Sequence, residues 1–197
     1  MSISQIIRHF EALGRAPIEI TDVLKQIQSV VLDERVEIEG YNRPATKLRG
    51  YHHRYHIPPH PDSALMPERV AVAAYSVQQE NGWQRLVCCK ELIHIFDREP
   101  IRTSSKDEVV RLGHHIGGGE KFDKIDASNM QGFFDQIAVY QALAILFPFG
   151  LREAIVTSGK TIDVPVVANH VDLPMKWVSM VLNDRWPLLR ESLLAAG

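Results

Sequence analysis

The stretch Leu86-Val87-Cys88-Cys89-Lys90-Glu91-Leu92-Ile93-His94-Ile95-Phe96 is the most informative in this chain of 197 residues. It reads as part of a helix from about Trp83 to Phe96, halted before Pro100. On a helix, positions i and i+4 share one face. That spacing lets a His-Glu-x-x-His motif bring two imidazoles to one metal, with the Glu beside them to activate its water. Here Lys90-Glu91-Leu92-Ile93-His94 fills the base position and the second ligand position, and puts lysine at the first. Glu-x-x-His also arises freely by chance on helices. Taken alone, the pattern equally describes a helix-face histidine hydrogen-bonded within the fold.

Upstream of this helix, two amphipathic helices open the chain. Ile3, Ile6, Ile7 and Phe10 form one apolar stripe; Val23, Leu24, Ile27, Val30 and Val31 form another, with Thr21 as the expected N-cap. Strands follow. Val36, Ile38 and Gly40 alternate with Glu37, Glu39 and Tyr41, Leu48 to Ile57 is a second extended run, and Val70 to Val77 is short and apolar enough to be buried. Asn81-Gly82 signals a turn. Downstream, Ser104 or Ser105 caps a short helix that ends at Gly117-Gly118-Gly119. Helices are then expected over Gln131 to Phe147, Leu151 to Val156, Val164 to His170, Pro174 to Leu182 and Trp186 to Leu194. Helices, a small antiparallel sheet, then helices again make the class α+β.

On the helix from Gln131, Asp135 aligns with Ala138, Val139, Ala142 and Leu146, which places a carboxylate on or beside the core-facing stripe. A buried carboxylate needs a cation, a metal or several donors. The plainer reading is an acid in the first turn or so, favoured by the helix dipole and solvated.

Together these segments resemble the ImmA/IrrE family of metallopeptidase-like proteins. In that family a small antiparallel sheet precedes a His-Glu-x-x-His helix. A second helix carries Glu-x-x-Ala-Asn-x-Phe-Ala-x-x-Leu-Leu-Met-Pro, whose Glu is the third zinc ligand, and a helix-turn-helix-like segment follows. In this chain the strand Val70–Val77 precedes Lys90-Glu91-Leu92-Ile93-His94. Asp135-Gln136-Ile137-Ala138 and Ala142-Leu143-Ala144-Ile145-Leu146-Phe147-Pro148 follow the second pattern, and residues 164–182 look like the last element. The resemblance runs from about Arg69 to Leu182 as ordered pieces. It implies a zincin-like core with a small antiparallel sheet over residues 1–150, then a helical C-terminal subdomain over 151–197. The departures are Lys90 for the first histidine, Asp135 for the Glu, and Val139 and Gln141 for the Asn and Phe of the second motif.

Carried over residue by residue, the resemblance implies His94 and Asp135 as ligands and Glu91 as the base, should zinc be bound, with no third ligand. Catalytic zinc normally takes three protein ligands and a water. A lysine amine, with a reference pKa of about 10.4, is protonated and has no lone pair to give. The resulting expectation is a non-catalytic regulatory or protein-interaction module without a cofactor. It is expected to work in the cytoplasm with a protein partner such as a transcriptional regulator. Its Lys90 ammonium stands in for the metal charge and pairs with Asp135 and Glu91; the competing picture has Lys90 reaching out to solvent. The alternative function is an active zinc-dependent metallopeptidase that cleaves a regulatory protein. In that case a partner chain or His114 and His115 completes the ligand shell.

Composition excludes other classes. At 45% hydrophobic and 23% charged residues the chain is neither disordered nor fibrous, and 22 basic against 24 acidic side chains give −2, no general field for nucleic acid. Cys88 and Cys89 are adjacent and lack a spaced partner for a disulfide framework or zinc site. The tract from Ala142 to Phe149 is too short to cross a membrane. Gly117-Gly118-Gly119 lacks the Lys-Ser/Thr of a phosphate loop. Residues 174–183 offer only Lys176 as a cation, flanked by Asp172 and Asp184, which argues against base reading by the helix-turn-helix-like segment. In Tyr51-His52-His53-Arg54-Tyr55-His56, strand parity sends Tyr51, His53 and Tyr55 one way and His52, Arg54 and His56 the other. His52 and His56 lie about 13 Å apart on an extended chain, too far to chelate one ion. With His60 nearby, the cluster reads as an exposed polar sheet face.

Overall fold

Five consecutive residues of one strand, Val70 to Ala74, are buried, so both faces of that strand are covered and it takes the middle of the sheet. The computed structural model describes residues 2–46, 49–59, 67–97 and 127–195, the side chains of 127–134 excepted. The expected helix from Ser104 or Ser105, the glycine triplet, His60, His114 and His115 lie outside the described residues.

The order is α1 (Ile3–Leu13), α2 (Ile20–Gln28), β1 (Arg35–Tyr41), β2 (Gly50–Ile57), β3 (Glu68–Ser76) and α3 (Asn81–Ile93), which runs on into a 3-10 turn (His94–Phe96). Then come α4 (Ala127–Leu146), α5 (Phe149–Val156), α6 (Val164–Val171), α7 (Met175–Val181) and α8 (Trp186–Ala195). The class is α+β, as the pattern of elements predicts. The sheet is mixed rather than antiparallel: its order is β1-β3-β2, with β1 parallel and β2 antiparallel to β3. The reason lies in burial. Only β3 is apolar on both faces, so it inserts between β1 and β2, whose outward residues are charged or aromatic and tolerate an edge.

Two local expectations also change. Glu19 rather than Thr21 is the N-cap of α2. Asn81-Gly82 forms no turn but opens α3 behind the N-cap Glu80. At that position a Cβ on Gly82 would lie 3.0–3.2 Å from the backbone of Leu173 and Pro174, so the missing side chain lets the α6–α7 turn seat against the start of α3.

Helix α4 is the axis of the core. Ala142 to Phe147 are all buried in succession, so this end of the helix is covered all round instead of showing one apolar stripe. It packs against α1, α3 and α8. Buried side chains from Ile6 through Leu193 belong to a single hydrophobic cluster. Pro148 ends α4 and serves as N-cap of α5, which leaves at 72°. Among the described residues no single helix is long and apolar enough to cross a membrane. In α5, the buried Arg152 donates from Nε to Val181 O at 3.0 Å and from Nη2 to Asn183 O at 2.9 Å. A cation thus satisfies the carbonyl end of α7.

One face of the sheet meets α3. Directly paired residues share a face, and the register sets Val36 and Ile38 of β1 beside Ala71 and Ala73 of β3 and Arg54 and His52 of β2. Gly50, at the start of β2, lets α3 come close: a Cβ there would overlap Val87 Cγ1 and lie 2.9 Å from Ala74 O and 3.0 Å from Glu91 Oε1. Gly50→Ala is therefore expected to destabilise the protein by about 2 kcal/mol through overpacking. Chemical denaturation checks this; a loss within the few tenths typical of a surface change would contradict the close approach.

Candidate functional site

Helix α3 lies between the sheet and α4, and Leu86 to Cys89, Leu92 and Ile93 are buried. Its three ionisable residues near the C-terminal end therefore emerge into crowded surroundings and must find partners inside. Glu91 is only 2% exposed. Lys90 has a side chain 15% exposed, turned inward rather than out to solvent.

Lys90 and His94, four residues apart, face α4 and meet Asp135 there. Lys90 Nζ donates to Asp135 Oδ1 at 2.5 Å and lies 2.9 Å from Glu91 Oε1. The Glu91 contact is close but poorly angled, and Oε1 has no well-formed hydrogen bond among the described residues. His94 Nε2 is 3.5 Å from the same Asp135 oxygen, at the outer limit of hydrogen bonding, so charge carries most of that contact. On the other side of the ring, His94 Nδ1 donates to Asp97 Oδ2 at 2.7 Å. One imidazole thus bridges two carboxylates, and one carboxylate oxygen meets two cations.

Asp135 lies eight residues beyond the start of α4, in its third turn, so the reading that ties it to the helix's positive end does not hold. Its side chain is 52% exposed, which keeps the cluster's α4 side open to water.

The site also contains a residue the sequence reading left on an exposed sheet face. His52, on β2, stacks on His94 with ring centroids 5.0 Å apart and planes 18° from parallel, and its Nδ1 is 3.6 Å from Glu91 Oε2. Strand parity pointed His52 and Arg54 away from Tyr51, His53 and Tyr55, and it was right. The rings of Tyr51, His53 and Tyr55 stack in a row on the opposite face. What parity alone did not supply is that the His52 side faces α3. Asp97 was missed too, although its spacing of three from His94 just past the helix end is a usable signal.

The electrostatics follow from this geometry. Burial works against a charge on His94, but the carboxylates of Asp135, Asp97 and Glu91 outweigh it and raise its pKa from 6.5 to about 9. Asp135 is held at about 2, first by His94 and, against its own partial burial, by Lys90. For Lys90, burial opposes the charge while Glu91 and Asp135 together raise its pKa. At neutral pH both cations are charged. The neighbouring thiols are inert: burial and the Glu91 charge push Cys88 up to about 12, and burial takes Cys89 well above the ordinary thiol range.

Among the described residues, the position facing Asp135 Oδ1 is taken by an ammonium. The candidate ligands are His94 and Asp135; His94 turns Nδ1 to Asp97 and Nε2 toward Asp135, and the Lys90 ammonium sits against the Asp135 oxygen that would face an ion. Among the described residues no group of three or more His, Cys, Asp or Glu is arranged to hold a metal. Asp97 holds the His94 ring from Nδ1, as carboxylates behind a metal-binding imidazole do, while Nε2 is turned to Asp135.

The His94 contribution to stability is complete below about pH 6.5 and is lost as pH rises through about 9; that of Asp135 is complete above about 3.8 and is lost as pH falls toward 2. Thermal unfolding of the wild type and His94→Gln is expected to differ by about 5 °C between pH 5 and 6 and to converge near pH 10. A pH-independent difference would show that His94 is held by packing alone.

Comparison with protein-family models, curated proteins and solved structures gave no match to this chain, so the chemistry of the site rests on its own side chains.

Proposed function

We propose that this chain is a non-catalytic, metallopeptidase-like module of the ImmA/IrrE type. It acts in the cytoplasm as a regulatory or interaction protein, with a protein partner such as a transcriptional regulator. The observation that carries the reading is the Lys90 ammonium, 2.5 Å from Asp135 and 2.9 Å from Glu91. Removing a divalent ion from a partly buried acidic pocket leaves carboxylates that repel one another unless a cation replaces it. Lys90 supplies that cation from the position where the resemblance puts the first metal-binding histidine. The clip between α3 and α4 then persists without an ion, and the scaffold stays available for binding.

Nucleic acid is not part of the proposal. The net charge is −2, and α7 carries Lys176 as its single cation, with Trp177, Val178 and Val181 turned into the core. The Asp97–His94 pairing favours a second reading, an active zinc-dependent metallopeptidase with Glu91 as base, because it orients the imidazole as a metal site would. That reading requires Lys90 to leave Asp135.

Elemental analysis and a peptidase assay with added zinc separate the two. The wild type is expected to hold no zinc and to leave unfolded polypeptide uncut. Lys90→His, which restores an i, i+4 histidine pair facing Asp135, is expected to gain one zinc per chain. Zinc in the wild type that disappears in His94→Ala, with cleavage lost in Glu91→Gln, would overturn the proposal in favour of the enzyme.

A further inference from the structure

A second ion pair lies next to the cluster and is not part of it. The Arg54 guanidinium, on β2, forks onto Glu34 in the α2–β1 connection, with Nε 3.1 Å from Oε2 and Nη2 3.2 Å from Oε1. Glu34 is buried and is itself fastened: Gln28 Nε2 donates to its carbonyl at 3.1 Å, and Gln28 Oε1 accepts from Val36 N at 2.7 Å. The remaining donors of Arg54 point the other way. Nη2 donates to Ile95 O, and Nη1 to Asp97 O at 3.3 Å. Those carbonyls belong to the 3-10 turn that ends α3 and to the residue just after it. They include orphan acceptors of a helix end, which otherwise turn to water.

The same short segment carries His94 and Asp97. Its backbone sets where the Asp97 carboxylate stands, and that carboxylate sets the angle of the His94 ring. The fork of an arginine is rigid and planar and serves two acceptors on each side; a lysine at this position keeps the charge but cannot span both.

We propose that Arg54 is the positioning residue of the charged site. Anchored by Glu34, it fixes the turn after α3 and so holds Asp97 against His94 and His94 toward Asp135. Among the described residues, Arg54 makes no hydrogen bond or ion pair with the Lys90, His94 or Asp135 side chains; it acts through backbone carbonyls. The proposal concerns the geometry of the cluster and stands whether or not the module is catalytic. The zinc measurement decides the function, and the state of the His94 ring decides this inference.

The test is the imidazole spectrum of His94 in the full chain labelled with nitrogen-15, at pH 7, assigned by its loss in His94→Gln. The wild type is expected to show a protected Nδ1-bound proton, the one that reaches Asp97. Arg54→Lys is expected to lose the protected proton and move the ring signals toward those of a free, averaging imidazole, while amides of α1 and α8 keep their shifts. Glu34→Gln, which keeps Arg54 but weakens its anchor, should move the signals the same way by less, and it replaces Arg54→Lys should that variant not fold. Arg190→Lys is the control. It breaks an equivalent fork on Glu11, 2.5 and 2.7 Å long, between α8 and α1, and should leave the His94 ring untouched. Unchanged ring signals in the Arg54 and Glu34 variants would overturn the proposal. So would an unprotected Nδ1 proton in the wild type, or an equal loss in Arg190→Lys.

Discussion

The constraint on which the rest depends is the burial of ionisable groups on a helix with no free face. Helix α3 is covered by the sheet on one side and α4 on the other, yet carries Lys90, Glu91 and His94 in its last turns. Each charge loses hydration there and must recover it from protein groups. The solution is a chain of contacts in which Asp135 Oδ1 takes Lys90 and faces His94, and Asp97 takes the other side of the His94 ring. Remove either cation and a carboxylate is left facing its neighbours.

This dependence reaches into the fold. The close approach of β2 to α3 requires Gly50, whose absent side chain leaves room for Val87 and Glu91. The same approach brings His52 onto His94 and Arg54 onto the carbonyls that follow α3. On the far side, α4 reaches the cluster from its third turn, and its next turns are buried from Ala142 to Phe147. Asp135 is therefore carried by a helix whose C-terminal end is buried in the core.

Two kinds of tuning are visible in one cluster. Against its own burial, His94 is pulled upward by Asp135 and Asp97, and Asp135 is pulled downward by His94 and Lys90. The two shifts favour the ionised form of both partners. At position 90 the cluster holds an ammonium, 2.5 Å from Asp135 Oδ1 and 2.9 Å from Glu91 Oε1. That charge helps hold the Asp135 carboxylate ionised.

Much of this was legible in the amino-acid order. Periodicity marked α1, α3 and α7, the four-residue spacing placed Lys90 and His94 on one face, and strand parity separated His52 and Arg54 from the tyrosines. These are short-range properties, dictated by the repeat of a helix or a strand. The tertiary structure alone decided that β3 inserts between β1 and β2, that α4 begins early enough to carry Asp135 in its third turn, and that His52 and Asp97 join the site. Lys90 and Asp135 are 45 residues apart. Meetings at that distance depend on how whole faces pack and on where buried charges find partners, and neither leaves a local pattern in the chain.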